Sequence, residues 1–215
     1  PLVFQNGEEH SWARNLYIKN ANHAIKIRGE SPVTSYISVM DIVLDQCAER
    51  ANYLDSAAGH MGINISGAER CLVHNVLITG KYHHDLCPMG AKTTVWSRCA
   101  GLNIELDHHA NGNEYNLFTE IDKGVGNLKY GESYNNFRET YWGVKGIKDA
   151  SYIATSSECT MVGINTTEPT SIGAAWHHET LDPDALIPQN IYLAQLEKVG
   201  GKVIPTDKVL TLPPH

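Results

Sequence analysis

The sequence predicts an all-β chain folded as a right-handed parallel β-helix with a short C-terminal capping helix. Three observations carry this: β-rich runs recur at near-constant spacing, no helix of credible length separates them, and Gly and Asn gather where the chain must turn. The runs are Asn15 to Asn20, Tyr36 to Leu44, Leu72 to Thr79, Thr94 to Cys99, Asn116 to Asp122 and Tyr141 to Ile147. Their starts lie about 22 residues apart, except for one longer step that holds Gln46 to His60, and a period of about 20 to 30 residues marks a solenoid.

Without intervening helices, βαβ folds are excluded, so each coil is built from short strands and turns. Gly29, Gly67, Gly80, Gly90, Gly101, Gly112, Gly124 and Gly126 fall between the runs, where tight corners call for positive φ. A β-sandwich is the rival architecture. It requires hairpin signals between partner runs, and neither Asn6-Gly7 nor Asn111-Gly112 joins two obvious partners. One helical segment stands out, Ala185 to Lys198, with Ile191, Leu193 and Leu196 set to face the solenoid and Gly200-Gly201 to end it. It is expected to cap a coil edge. The N-terminus carries no comparable cap, so a preceding segment or another chain is expected to cover the first coil.

At 215 residues the chain fits one domain, 1–215, with coils from about residue 12 to 165 and an extension with its cap from 166 to 215. A formal charge of −7 disfavours nucleic acid as a partner. No apolar run reaches the roughly 20 residues needed to cross a bilayer. Five cysteines without CxxC pairs argue against a zinc knuckle and a full disulfide framework, which leaves buried thiols. The sequons at Asn64 and Asn165 are candidate glycosylation sites and lean toward an extracellular or cell-surface location.

Titratable groups concentrate around Asp107-His108-His109. On a strand, Glu105, Asp107 and His109 share one face while Ile104 and Leu106 take the other. One coil away lie His84-Asp85 on one side and Glu120 to Asp122 on the other, so stacking is expected to gather His84, Asp85, Asp107, His109 and Asp122 as catalytic candidates. The bland reading is equally simple: Asp107 caps a turn, and the histidines bond a neighbouring coil's backbone. His177-His178-Glu179 is read as a surface or packing element, because adjacent histidines on an extended chain point apart. Asn113, Asn116, Asn135 and Asn136 suggest an asparagine ladder inside the coils.

The chain resembles the C-terminal half of an uncharacterised family of pectate-lyase-like, right-handed parallel β-helix proteins. The residues carrying the resemblance are Gly62-Ile63-Asn64-Ile65-Ser66-Gly67, His84-Asp85-Leu86, Leu106-Asp107-His108-His109, Asn116-Leu117-Phe118 with Ile121-Asp122, Gly124-Val125-Gly126, Thr140-Tyr141-Trp142, and Trp176-His177-His178-Glu179 through Pro188 to Leu196. Ala110 stands where the family carries a basic residue. The resemblance implies a carbohydrate polymer as substrate.

Carboxylates on neighbouring coils would stand roughly 5 to 9 Å apart, the span for acid and nucleophile or acid and base on a glycosidic bond. Hydrolysis is therefore favoured over elimination, which needs a base such as His84, His108 or His109 and a cation to neutralise a uronate. Lys81, Arg98 and Lys123 are the nearest cations in sequence; Ca2+ held by Glu105, Asp107 or Asp122 is another source. His84, His109 and Asp107 do not match a recognised transition-metal signature, so no metal is assigned to them. Glu105, Trp96, Arg98 and Trp142 are candidate polysaccharide contacts, with core packing the competing role for the two tryptophans. From a different class comes a non-catalytic β-helix that binds glycans or builds a surface assembly. The enzyme reading expects His84, Asp107 and Asp122 to converge; the structural one expects them buried at coil corners.

Overall fold

The computed structural model describes residues 1–47, 59–109, 112–130, 137–146, 152–153, 158–165, 177–202 and 208–211. Its strands are β1 (Leu2–Phe4), β2 (Trp12–Ala21), β3 (His23–Arg28), β4 (Ser38–Cys47), β5 (Gly59–Ser66), β6 (Leu72–Ile78), β7 (Tyr82–Met89), β8 (Val95–Gly101), β9 (Leu106–His108), β10 (Leu117–Asp122), β11 (Leu128–Tyr130), β12 (Thr140–Lys145), β13 (Tyr152–Ile153), β14 (Thr160–Ile164) and β15 (His177–Glu179), followed by helix α1 (Ile191–Lys198). Odd strands β1 to β13 form a seven-stranded sheet, and β2 to β14 with β15 form an eight-stranded one. Neighbouring strands pair in parallel, each with its equivalent one coil away. The result is a parallel β-solenoid of about six turns.

The six runs legible in the sequence are all strands of the eight-stranded sheet. Each even-numbered strand from β2 to β14 kinks at an equivalent residue with positive φ, Asn15, Asp41, Asn75, Arg98, Glu120, Gly143 and Gly163 in turn, and β2 and β4 kink again at Asn20 and Gln46. The flanking residues keep register, as in Leu16↔Ile42↔Val76↔Cys99↔Ile121↔Val144. A second left-handed series marks the corner before these strands, at His10, Tyr36, Arg70, Thr93, Tyr115, Arg138 and Glu158. Backbone geometry thus repeats from coil to coil although residue identity does not.

The interior is stacked in columns. Ile25, Ile63, Leu86, Leu106 and Leu128 line the seven-stranded side. On the other, Trp96, Phe118 and Tyr141 stack with centroids 6.0 and 4.9 Å apart and rings within 11° and 5° of parallel. Each such side chain removed from water contributes about 1.5 to 3 kcal/mol.

The described hydrogen bonds of Asn113 and Asn116 run mainly to the backbone of the preceding coil. Asn116 accepts from the Thr94 N–H at 3.0 Å and donates to the Ala91 carbonyl at 2.9 Å, and Asn113 accepts from the Ala91 N–H at 2.9 Å. They stitch one coil's backbone to the next, because the corner exposes backbone donors that a stacked amide would leave unpaired. Asn135 and Asn136 lie outside the described residues, as does Ala110. Cys71, Cys87, Cys99 and Cys159 are buried free thiols, as expected.

The C-terminal helix starts later than the pattern predicts. Pro183–Ala185 is a single 3-10 turn, Pro188 has no N–H to donate, and α1 begins after Asn190, whose side chain accepts from the Leu193 N–H at 3.0 Å. Gly200, at φ 69°, ends it, with the Gly201 N–H reaching the Leu196 carbonyl at 2.8 Å. Its position also departs from expectation: it lies along the flank of the eight-stranded sheet and not over a coil edge. Trp142 donates to the Pro188 carbonyl at 2.8 Å, Lys145 pairs with Asp184 at 2.7 Å, and Asn190 donates to Ser97 and Glu120, each at 2.8 Å. Farther back, Asn75 donates to the Lys208 carbonyl at 2.9 Å and accepts from the Leu210 N–H at 2.8 Å. The tail therefore runs back across the sheet, against the direction of coil growth. β2, the outermost strand on the N-terminal side, has a strand partner on one side only among the described residues, and Trp12 and Tyr17 on it are exposed.

Candidate functional site

β9 splits the Asp-His-His triplet between two environments. Leu106 and His108 face the interior by strand alternation, which turns Asp107 and His109 to the outer surface. His108 joins a buried network: its Nε2 lies 2.8 Å from the Tyr141 hydroxyl and 3.1 Å from Glu139, and Glu139 also accepts from Asn116 at 3.0 Å. These groups satisfy one another inside the coil, as buried polar atoms must.

On the outer side, His84 Nδ1 is hydrogen-bonded to Asp107 Oδ2, and His109 Nδ1 lies 3.8 Å from the same oxygen. The side chains of His84 and Asp107 are 8% and 9% exposed, whereas His109 is 47% exposed, so the group reaches solvent through His109. Burial pushes the Asp107 carboxyl up, but the His84 hydrogen bond and the fields of His84, His109 and His108 outweigh it and hold it below its ordinary value. Asp107 is an ionised carboxylate set between two imidazoles.

This trio sits at the end of a row of histidines crossing the same sheet. His23 and His60 have ring centroids 4.9 Å apart, His60 and His84 5.4 Å, His83 and His84 4.3 Å, and His84 and His109 4.9 Å. His23, His60 and His83 were not singled out from the sequence. His60 and His83 lie near the starts of β5 and β7, beside the registered pair Met61↔His84.

Asp85 plays a different part. It is fully buried and accepts from the Tyr82 N–H at 3.2 Å and the Glu105 N–H at 2.9 Å. Burial pushes its carboxyl up to about 8 against those two hydrogen bonds. It has no exposed surface and both its oxygens hold backbone N–H groups, so it is a brace and not a reagent. Glu105 is half-buried and accepts from Asn127 at 3.2 Å.

Asp122 does not join the group. It lies on β10 in the eight-stranded sheet, because a coil contributes one strand to each sheet and the run after Asp107 belongs to the other. There, with Arg98, Glu120, Lys145 and Asp184, it lines a cavity of about 250 Å³ beneath the C-terminal tail. The charges of that cavity are mutually engaged: Arg98 with Glu120 at 2.8 Å, Lys145 with Asp184 at 2.7 Å, and Asp122 with the Gly124 N–H at 3.2 Å. Glu105, Asp107 and Asp122 thus form no carboxylate cage for Ca2+. Among the described residues, the one His/Cys/Asp/Glu trio spaced to share an ion is His84, Asp107 and His109.

The remaining candidates separate clearly. Trp96 is fully buried in the aromatic stack, so it offers no surface to a sugar, and Trp142 is engaged by the tail. Arg98 is committed to Glu120 on the opposite sheet from the histidines. Lys123, also fully buried, donates to the Gly126 carbonyl at 3.1 Å. Asn64 is 1% exposed and donates to the Cys87 carbonyl at 3.1 Å in the middle of β5, leaving no room for a glycan on the folded chain. Asn165 is exposed and accepts from the Gly146 N–H at 2.9 Å. His177 to Glu179 form the exposed edge strand β15, a surface element as expected. Comparison with family models, curated proteins and solved structures finds no match for this chain.

Proposed function

We propose that the protein is an extracellular or cell-surface, carbohydrate-active β-helix that cleaves an acidic polysaccharide along the outer face of its seven-stranded sheet. The observation that carries this reading is the ionised Asp107 between a buried and an exposed imidazole. A carboxylate hydrogen-bonded to a histidine orients the ring and stabilises its protonated form, as a general base requires. The pectate-lyase-like resemblance supplies the substrate class.

Elimination suits these side chains better than hydrolysis. A hydrolytic pair needs a second carboxylate roughly 5 to 9 Å away, and the two expected partners are unsuited: Asp85 is sealed and Asp122 belongs to the other sheet. Lys26, in register with Asn64, stands two strands from Cys87 on the same sheet as the trio.

The test is a panel of acidic and neutral polysaccharides, read for absorbance of unsaturated ends and for new reducing ends. Elimination yields both signals on an acidic polymer, and His109→Ala abolishes them. Reducing ends without absorbance would favour hydrolysis. Binding without either product would leave the protein a glycan-binding or assembly module.

A further inference from the structure

We infer that His84, Asp107 and His109 together bind a divalent first-row transition ion, with zinc the best match. One donor atom from each lies within 4.8 Å of the others. Two imidazole nitrogens and one carboxylate oxygen leave a fourth position open, the donor set of many catalytic zinc sites. Calcium, which takes six to eight oxygen ligands, does not suit it.

The scaffold supports the assignment. His84 and Asp107 lie on adjacent parallel strands, and the His109 N–H is fixed to the Pro88 carbonyl at 3.0 Å. Backbone on paired strands holds ligands more accurately than a loop does. Tetrahedral bonds of about 2.0 to 2.1 Å place donors about 3.3 Å apart; His109 Nδ1 is already 3.8 Å from Asp107 Oδ2, and the donors, all within 4.8 Å of one another, close to that spacing as the His109 ring turns. That ring is half exposed, which makes the movement cheap and gives the ion an entry path. His84 Nδ1 and Asp107 Oδ2 already share a hydrogen bond. The ion takes the place of the shared proton, which leaves to solvent, so binding weakens as the solution is acidified.

Ion binding does not rest on the polysaccharide reading, because a non-catalytic β-helix can hold zinc equally well. It does alter that reading in one respect: with an ion bound, His84 and His109 are both ligands and neither serves as the base.

The test uses the full 215-residue chain, stripped with a chelator and titrated with ZnCl2 by calorimetry and with CoCl2 by visible absorption. One ion per chain is expected, with intense low-coordinate cobalt bands and no comparable response to CaCl2. His109→Ala, a surface change that leaves the strands intact, should weaken zinc binding at least tenfold and remove the cobalt bands, and Asp107→Asn should do the same. His177→Ala, in the exposed pair with Glu179, should change nothing. Circular dichroism confirms that each variant is folded. The inference is overturned if no stoichiometric binding occurs, if His109→Ala binds as tightly as the parent, or if His177→Ala alone removes binding. Zinc binding without polysaccharide cleavage would sink only the cleavage reading, and cleavage without zinc binding only this one.

Discussion

On the eight-stranded sheet, polar side chains of neighbouring coils pair off, Arg14 with Asp41 and Arg98 with Glu120, and the C-terminal tail lies across them. On the seven-stranded sheet, the corresponding positions bring His60, His84, Asp107 and His109 side by side, with the trio at their end reaching solvent through His109. One coil geometry thus makes two unlike faces. Where opposite charges are matched and covered, the residues are occupied in holding the chain together; where imidazoles gather around one carboxylate, they retain lone pairs and protons to exchange. Chemistry is expected from the second face and stability from the first.

Four substitutions probe that contrast. The largest effect is expected at Gly62, beside the histidine row, where a Cβ would lie 2.5 Å from the Asp85 carbonyl oxygen. Backbone of a paired strand cannot yield, so Gly62→Ala should cost about 3 kcal/mol or more, read by denaturant unfolding. Next is Asp107→Asn: polysaccharide cleavage should fall about 100-fold while the midpoint of thermal unfolding moves little. A large loss of stability with intact cleavage would reverse the roles assigned to the two faces.

Asp85→Asn should cost about 1 to 3 kcal/mol, because an amide NH2 would face a backbone donor. It also carries a pH signature. The folded-state carboxyl titrates near 8 against an ordinary 3.8, so the folded chain holds a proton that the unfolded chain has lost. This contribution is complete below 3.8 and disappears as pH rises through 8, and the variant should flatten that decline. Asp107, whose pKa is lowered, acts in the opposite sense and loses its contribution on acidification. The smallest effect belongs to the other face: Asn190→Ala removes a helix cap and two hydrogen bonds, for about 1 to 2 kcal/mol. Limited proteolysis should then release the tail with cleavage by the histidine face unchanged.

The eight-stranded sheet was legible in the sequence because its strands are long and rich in β-branched residues, as in Leu72 to Ile78. The other sheet was not, since its strands carry Gly62, Asn64, Asp85 and Pro88 among their apolar residues, and several are only two or three residues long. That gap explains the error over Asp122: reading Asp107 and Asp122 as equivalent positions on successive coils hid the alternation between sheets. The pairing of His84 with Asp107 was legible, because both belong to the same sheet one coil apart. The outward row of His23, His60 and His83 was not, since nothing marked their strands as strands.

The returning tail has a consequence for how the molecule comes apart. In a solenoid each coil touches only its neighbours, so stability is close to a sum of local terms and the ends can fray independently. Here Asn190 grips β8 and β10 while Lys208 and Leu210 hold Asn75 on β6, so the tail ties β6 to β10, two coils apart. Loosening one coil must disturb a contact two coils away. The tail thereby turns a row of nearly independent rungs into a unit that opens together, and it does so on the face opposite the histidines.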